Sequence, residues 1–151
     1  MNPYMDSTIR LLERTDYSAF LILINEFRPT HFSREQFEEI FDYQSTHSEI
    51  WVADQSGVLL GTGTVLYERK FIFNTCWLAH IEDVCVHSSY RRHGIGKRII
   101  QALVDAAEAR GCYKVTLDCA EHNVPFYVAS GLELRGKQMT RLLHEPMCEP
   151  K

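Results

Sequence analysis

Ala79-His80-Ile81-Glu82-Asp83-Val84-Cys85-Val86-His87-Ser88-Ser89-Tyr90-Arg91-Arg92-His93-Gly94-Ile95-Gly96-Lys97 is the stretch on which the reading of this chain turns. An apolar run of alternating character ends at Val86, a polar turn follows, and Arg91-x-x-Gly94-x-Gly96 opens a long amphipathic segment. That is the pattern of a strand, a loop of backbone amides and a helix N-terminus. Amides at a helix start point outward without intrahelical partners and carry a partial positive charge, so they suit phosphate groups. Gly94 and Gly96 let the main chain come close to a bulky anion. Two nucleotide loops fail on spacing. A dinucleotide fingerprint needs Gly or Ala where Ile99 stands. A P-loop needs four residues between its glycines and then Gly-Lys-Ser/Thr, whereas Ile95 alone separates Gly94 from Gly96 and Arg98 follows Lys97. The motif by itself leaves open a plain glycine-rich turn before a helix.

Downstream, a helix is predicted from Gly94 to about Arg110, with Ile95, Ile99, Leu103 and Ala107 in one stripe and Gln101, Asp105 and Glu108 toward water. Gly111 stops it. A strand follows over 114–119. Asn123 caps a short helix with Pro125 in its first turn, Gly131 ends it, and two further strands are expected over 132–135 and 138–143. Upstream, strands are expected over 8–12, 50–53 and 58–67, with a tight turn at Asp54-Gln55-Ser56-Gly57. Asp16 is placed to cap a helix over 17–25, and Ser33 with Gln36 to form the capping box of a second helix. Gly61 and Gly63, inside a strand, mark a bulge or a close backbone approach. Residues 68–76 read as a loop. The order β-α-α-β-β-β-α-β-α-β-β predicts one α/β domain over residues 1–151, a mixed central sheet with helices on both faces.

With 151 residues, 45% of them hydrophobic, the chain can bury a single packed core. A net charge of −4 argues against a nucleic-acid surface. The basic residues gather locally instead, Arg91-Arg92-His93 with Lys97-Arg98, as befits a compact anion site. The five cysteines (76, 85, 112, 119 and 148) are odd in number and lack Cys-x-x-Cys spacing. They read as reduced thiols, which points to the cytoplasm or another reducing intracellular compartment. The histidines have no zinc-site spacing, and no metal is expected. No apolar run reaches the ~20 residues of a membrane span, and the first residues are no signal peptide.

The chemistry concentrates in three places. Glu82 and Asp83 are adjacent acids in an apolar strand, where alternation sends them to opposite faces; one of them is expected to line a polar ligand cavity. Asp118 ends the following strand. Phe126 and Tyr127 lie on the short helix, and if Phe126 packs inward the Tyr127 phenol turns toward the cleft as a hydrogen-bond donor.

Arg91-x-x-Gly94-x-Gly96 resembles the acetyl-CoA pyrophosphate loop of the GNAT superfamily of N-acetyltransferases. Together with His80-Ile81-Glu82-Asp83-Val84, Gly111-Cys112-Tyr113-Lys114-x-x-Leu117-Asp118-Cys119, Asn123-Val124-x-Phe126-Tyr127 and, upstream, Glu68-Arg69-Lys70-Phe71-Ile72, it resembles the glucosamine-6-phosphate N-acetyltransferase family. The likeness covers roughly residues 60 to 131. It implies an enzyme that acetylates the 2-amino group of glucosamine 6-phosphate from acetyl-CoA, on the route to UDP-N-acetylglucosamine, as a homodimer and without a metal. By the same resemblance, Val84, Cys85 and Val86 would pair with the pantetheine arm. The amides of Arg92, His93, Gly94, Ile95, Gly96 and Lys97 would hold the pyrophosphate, and Asn123 and Tyr127 would lie near the thioester. Lys70, Phe71, Ile72, Phe73, Glu82, Asp83, Tyr113, Lys114 and Asp118 would contact the sugar phosphate. Glu82 or Asp118 would orient or deprotonate the amine, and Tyr127 would protonate the leaving thiolate.

Two departures bear on the phosphate. The family's basic residue three positions after the Met matched by Met139 is replaced by Leu142, leaving Arg141 nearby. Near the Arg28-Pro29 loop, Phe27-Arg28 stands where relatives have a small hydroxyl residue, so Arg28 is the expected compensating cation. The alternatives are a GNAT enzyme for another primary amine (a protein N-terminus, lysine or polyamine) and a non-catalytic acyl-CoA-binding module.

Overall fold

The computed structural model describes residues 1–146. In chain order the elements are β1 (Thr8–Leu11), α1 (Tyr17–Phe27), α2 (Arg34–Gln44), β2 (Ser48–Gln55), β3 (Val58–Arg69), the short turn α3 (Ile72–Thr75), β4 (Trp77–Val86), α4 (Ile95–Ala109), β5 (Cys112–Thr116) and α5 (Val124–Ala129). The strands form one sheet in the order β1-β2-β3-β4-β5, antiparallel except for β4 beside β5. This is the mixed sheet with helices on both faces that the pattern of apolar residues calls for. A two-residue turn with both residues at positive φ, Ser56 and Gly57, joins β2 to β3, and the Asp54 carboxylate accepts the Gly57 N–H.

Two apolar clusters sandwich the sheet. On one face the α4 stripe of Ile95, Ile99, Leu103 and Ala107 packs on Val65, Tyr67, Ala79 and Ile81. On the other, Leu23 of α1 and Phe37 of α2 pack on Val52, Leu59 and Cys85. Gly61 and Gly63 decide how closely α4 can lie. A Cβ at Gly61 would stand 2.8 Å from Ile99 Cδ1 and 2.9 Å from the Cys85 carbonyl oxygen. One at Gly63 would stand 2.8 Å from Leu103 Cδ1. The strand glycines therefore mark a close approach of helix to sheet.

Ser33 and Gln36 form the expected capping box of α2. Asp16 does not cap α1. Its carboxylate is held by the Arg10 guanidinium at 2.8 and 2.9 Å and accepts the Glu13 N–H, which keeps its pKa below the usual carboxylate range. Asn123 likewise precedes α5 without a side-chain cap. The expected loop over 68–76 contains α3, where Phe73, Asn74 and Thr75 all have positive φ. The fifth strand starts and ends earlier than expected, so Asp118 lies past it in a loop. The strands expected over 132–135 and 138–143 are absent from the described residues: that segment is irregular, with Leu134, Met139, Leu142 and Leu143 exposed. A β-prone run forms a strand only where a neighbouring strand completes its hydrogen bonds, and among the described residues no strand pairs with this one. No described helix is long and apolar enough to cross a membrane.

Gly61→Ala should destabilise the protein by about 1–3 kcal/mol, because its new methyl meets a backbone carbonyl that cannot swing aside. Gly63→Ala should cost less, since the ends of Leu103 and Ile99 can move. Urea midpoints of the two variants check the order.

Candidate active site

The loop before α4 is shaped as an anion cradle. Arg92 has φ +64° and Gly94, at the N-cap of α4, φ +81°. No side chain caps this helix, so the first-turn amides of Ile95, Gly96 and Lys97 have no side-chain partner. Arg92 and Lys97 are exposed beside them. Gly94 supplies the left-handed residue, with open space around it. Gly96 does something else: a Cβ there would sit 3.1 Å from Phe126 Cζ, so its bareness lets α5 pack onto α4. Arg98 leaves the expected basic cluster, because its guanidinium donates to the Tyr4 carbonyl, the Ser7 hydroxyl and the Ser7 carbonyl at 3.2, 2.7 and 2.6 Å.

Beside this loop the sheet splays. β5 pairs with β4 only over Trp77–His80, while β4 runs on to Val86. The His87 N–H donates to the Leu60 carbonyl at 2.9 Å, which makes Gly61 and Val86 a wide pair and turns Val86's own N–H and C=O into the opening. Arg91 Nε donates to that carbonyl at 3.0 Å. Val84 and Val86 put their side chains on the α4 core, and Cys85 faces the opposite cluster. Tyr127 is half-buried against the same α4 core, whereas Phe126 is the more exposed ring, the reverse of the arrangement expected from sequence. Burial, then the neighbouring Cys119 and Asp118, push the Tyr127 phenol above its usual range, so it keeps its proton at neutral pH and can donate it.

A bulge in β4 assembles the acids. Thr62 pairs with Cys85 and Thr64 with Glu82, so Asp83 and Val84 together oppose Gly63, and Asp83 takes φ +51°. The bulge resets the alternation. Asp83 therefore does not point to the α4 face as strict alternation requires; it lines a cavity of about 160 Å³ on the α1/α2 face with Phe20, Ile50, Thr62 and Thr64. Extending the parallel register of His80 with Thr116 sets Glu82 level with Asp118. Loss of solvent around the Glu82 carboxyl, then the charges of Asp118 and Asp83, push its pKa above the usual carboxylate range. Thr62 and Thr64 were not singled out by sequence; their alternation with the two strand glycines is the signal that marks a polar cavity face.

A basic and aromatic group lies along β5 and α3. Lys70 Nζ bonds Glu68 at 2.9 Å, and the other oxygen of Glu68 accepts from His80 Nε2 at 2.7 Å. Lys114 Nζ stands 5.5 Å from the Tyr113 ring centroid, and Phe73 packs 5.4 Å from the same ring. Phe71, Ile72 and Phe73 are exposed. Arg28, at the end of α1, lies over the Phe27 ring at 5.5 Å, and Arg141 sits in the irregular segment; no hydrogen bond or ion pair among the described residues joins either to this group. Asn123 borders the opening in the turn before α5. A larger concavity, about 530 Å³, lies away from these groups, between α4 and β2.

Residues 17–131 match the family model described as "Acetyltransferase (GNAT) family". The chain is 36% identical over 141 residues to glucosamine 6-phosphate N-acetyltransferase of Arabidopsis thaliana, covering 88% of this chain and 94% of that one. It is 37% identical over 138 residues to glucosamine 6-phosphate N-acetyltransferase 1 of Oryza sativa subsp. japonica, covering 87% and 84%. The crystal structure of the Arabidopsis enzyme superposes with a TM-score of 0.87 at 32% identity, over 91% of this chain and 99% of that one.

Removing a neighbouring negative charge favours an ionised carboxylate, so Asp118→Asn should lower the Glu82 pKa toward the ordinary range without fully restoring it, burial being the larger cause. Carbon-detected NMR titration of the Glu82 carboxyl reads this directly.

Proposed function

The chain belongs to the acetyltransferase (GNAT) family, and on that premise we propose that residues 1–151 form one catalytic domain that transfers the acetyl group of acetyl-CoA to the 2-amino group of glucosamine 6-phosphate. One observation carries the reading: β4 runs on past its last pairing with β5 toward the uncapped start of α4, and Glu82 in that unpaired stretch lies near Asp118. A thioester carried on a long arm with a pyrophosphate fits such a track. The α4 amides and Arg92 take the pyrophosphate, and the open edge of β4 at Val84, Cys85 and Val86 pairs with the amides of the arm. The relatives that this chain matches over most of their length carry the glucosamine 6-phosphate activity in their names.

The amine must be neutral to attack. Its lone pair adds to the thioester carbonyl carbon, the carbon–sulfur bond breaks, and the amine proton passes to Glu82 or Asp118, directly or through a water. A carboxylate whose pKa lies above the usual range is the better acceptor near neutral pH, and such proton transfer typically contributes ~10²–10⁴-fold. Tyr127, held protonated, gives its proton to the thiolate. The free N–H of Val86 is placed to polarise the carbonyl. Lys70, Lys114 and Tyr113, with Phe71, Ile72 and Phe73 around them, receive the phosphate, and Arg28 and Arg141 complete its donors.

The working form is a homodimer. The outer edge of β5 carries no strand among the described residues, and the segment after α5 exposes Leu134, Met139, Leu142 and Leu143. A second copy supplies the missing strand partner. The four described cysteines are free, which suits a reducing intracellular compartment.

Coenzyme A thiol release against a panel of amines tests the reading. Glucosamine 6-phosphate should be preferred over glucosamine, a lysine peptide and a polyamine; preference for another amine, or binding of acetyl-CoA without turnover on any, overturns it. Tyr127→Phe should lower kcat with little change in KM for acetyl-CoA, since the hydroxyl meets the thiolate only in the transition state. Glu82→Gln should lower kcat by about 10²-fold or more if Glu82 is the base; if Asp118→Asn alone does so, the base is Asp118.

A further inference from the structure

The proposed pyrophosphate loop is held partly by its own bonds, Arg91 Nε to the Val86 carbonyl and the Tyr90 N–H to the His87 carbonyl, and partly from outside. Arg92, a non-glycine residue, is in the left-handed region, which costs of the order of 1 kcal/mol and persists only where surrounding contacts impose it. The contacts from outside the loop come from the first residues of the chain. The Asn2 side-chain amide uses both ends: its Nδ2 donates to the His93 carbonyl at 2.7 Å, between the two positive-φ residues, and its Oδ1 accepts the Tyr4 N–H at 3.0 Å. The Tyr4 ring lies edge-on to Tyr90 at 5.1 Å and to His93 at 4.8 Å, touching both flanks of the loop. Arg98, on the second turn of α4, grips the Tyr4 carbonyl and both oxygens of Ser7. Gln55, the last residue of β2, donates to the Pro3 carbonyl at 2.9 Å.

We propose that residues 2–7 form a strap that holds the Arg91–Gly94 loop in its anion-binding conformation, with Asn2 and Tyr4 as positioning residues for the coenzyme pyrophosphate and Arg98 as the anchor of the strap. The strap touches neither the carboxylates nor the acceptor region in any recorded contact, so its effect is confined to the phosphate end of the coenzyme. The proposal rests on the acetyl-CoA reading above but not on the identity of the acceptor.

The test is isothermal titration calorimetry of the full chain carrying Asn2→Ala and Tyr4→Ala together, with acetyl-CoA and with S-acetylpantetheine, which keeps the arm and thioester but lacks the pyrophosphate. Losing the two Asn2 side-chain hydrogen bonds, one of them to the loop, and the aromatic contacts should weaken acetyl-CoA binding about tenfold. The affinity ratio of acetyl-CoA over S-acetylpantetheine should fall by the same factor. Tyr4→Phe, which keeps the ring, should bind like the wild type. Unchanged acetyl-CoA affinity in a folded double variant overturns the proposal. So does an equal loss for both thioesters, which would mean general disruption. If the wild-type chain binds no acetyl-CoA at all, the coenzyme reading falls and the strap with it. Because affinity is read without an amine, the result is independent of the acceptor assignment.

Discussion

The direct seating of α4 on β3, through the bare backbone at Gly61 and Gly63, is the contact on which the rest depends. It fixes where the helix axis runs relative to the sheet, and so where the first turn of α4 comes to lie beside Val86. With side chains at those two positions the helix would stand off, and its uncapped first-turn amides would no longer be level with the N–H of Val86. The same stretch of β3 faces the β4 bulge, where two residues oppose one. Close packing on one face and a turned carboxylate on the other are thus set by neighbouring residues of a single strand pair.

The distribution of charge follows. Glu82, Asp83 and Asp118 crowd one end of the opening, while uncapped amides and exposed cations hold the other. Loss of solvent first, and then its like-charged neighbours, raise the proton affinity of Glu82. Lys70 and Lys114 stand along α3 and β5, so the strand that carries the acids on one side has cations close by on the other.

Most of this was legible in the sequence because it rests on local rules. The capping box at Ser33 and Gln36, the α4 stripe and the strand glycines each depend on residues a few positions apart, and each is found where expected. What was not legible depends on partners far along the chain. Asp16 looked like a cap until Arg10 and the Glu13 N–H claimed its carboxylate. Arg98 looked like part of a phosphate cluster until Tyr4 and Ser7 took its donors. Strict alternation sent Asp83 to the wrong face because a bulge, with its positive φ on a non-glycine residue, leaves no mark in hydrophobic periodicity. The strands expected after α5 failed for a related reason: β-propensity describes a segment, but a strand needs a neighbour.

The divergence of β4 from β5 also bears on how the molecule comes together. β2, β3 and β4 form a meander of near-sequential pairings, whereas β5 reaches its place only after the whole of α4 has crossed back. Contacts between near neighbours close cheaply and early, and the parallel pairing must wait for the longer loop to close. The gap between β4 and β5 lies beside that parallel pairing. A ligand that bridges the free edge of β4 and the start of α4 therefore binds only the completed structure. At a hundred times its dissociation constant such a ligand adds about 2.7 kcal/mol to the stability of the folded chain, so a donor bound there would hold the fold together as well as serve the reaction.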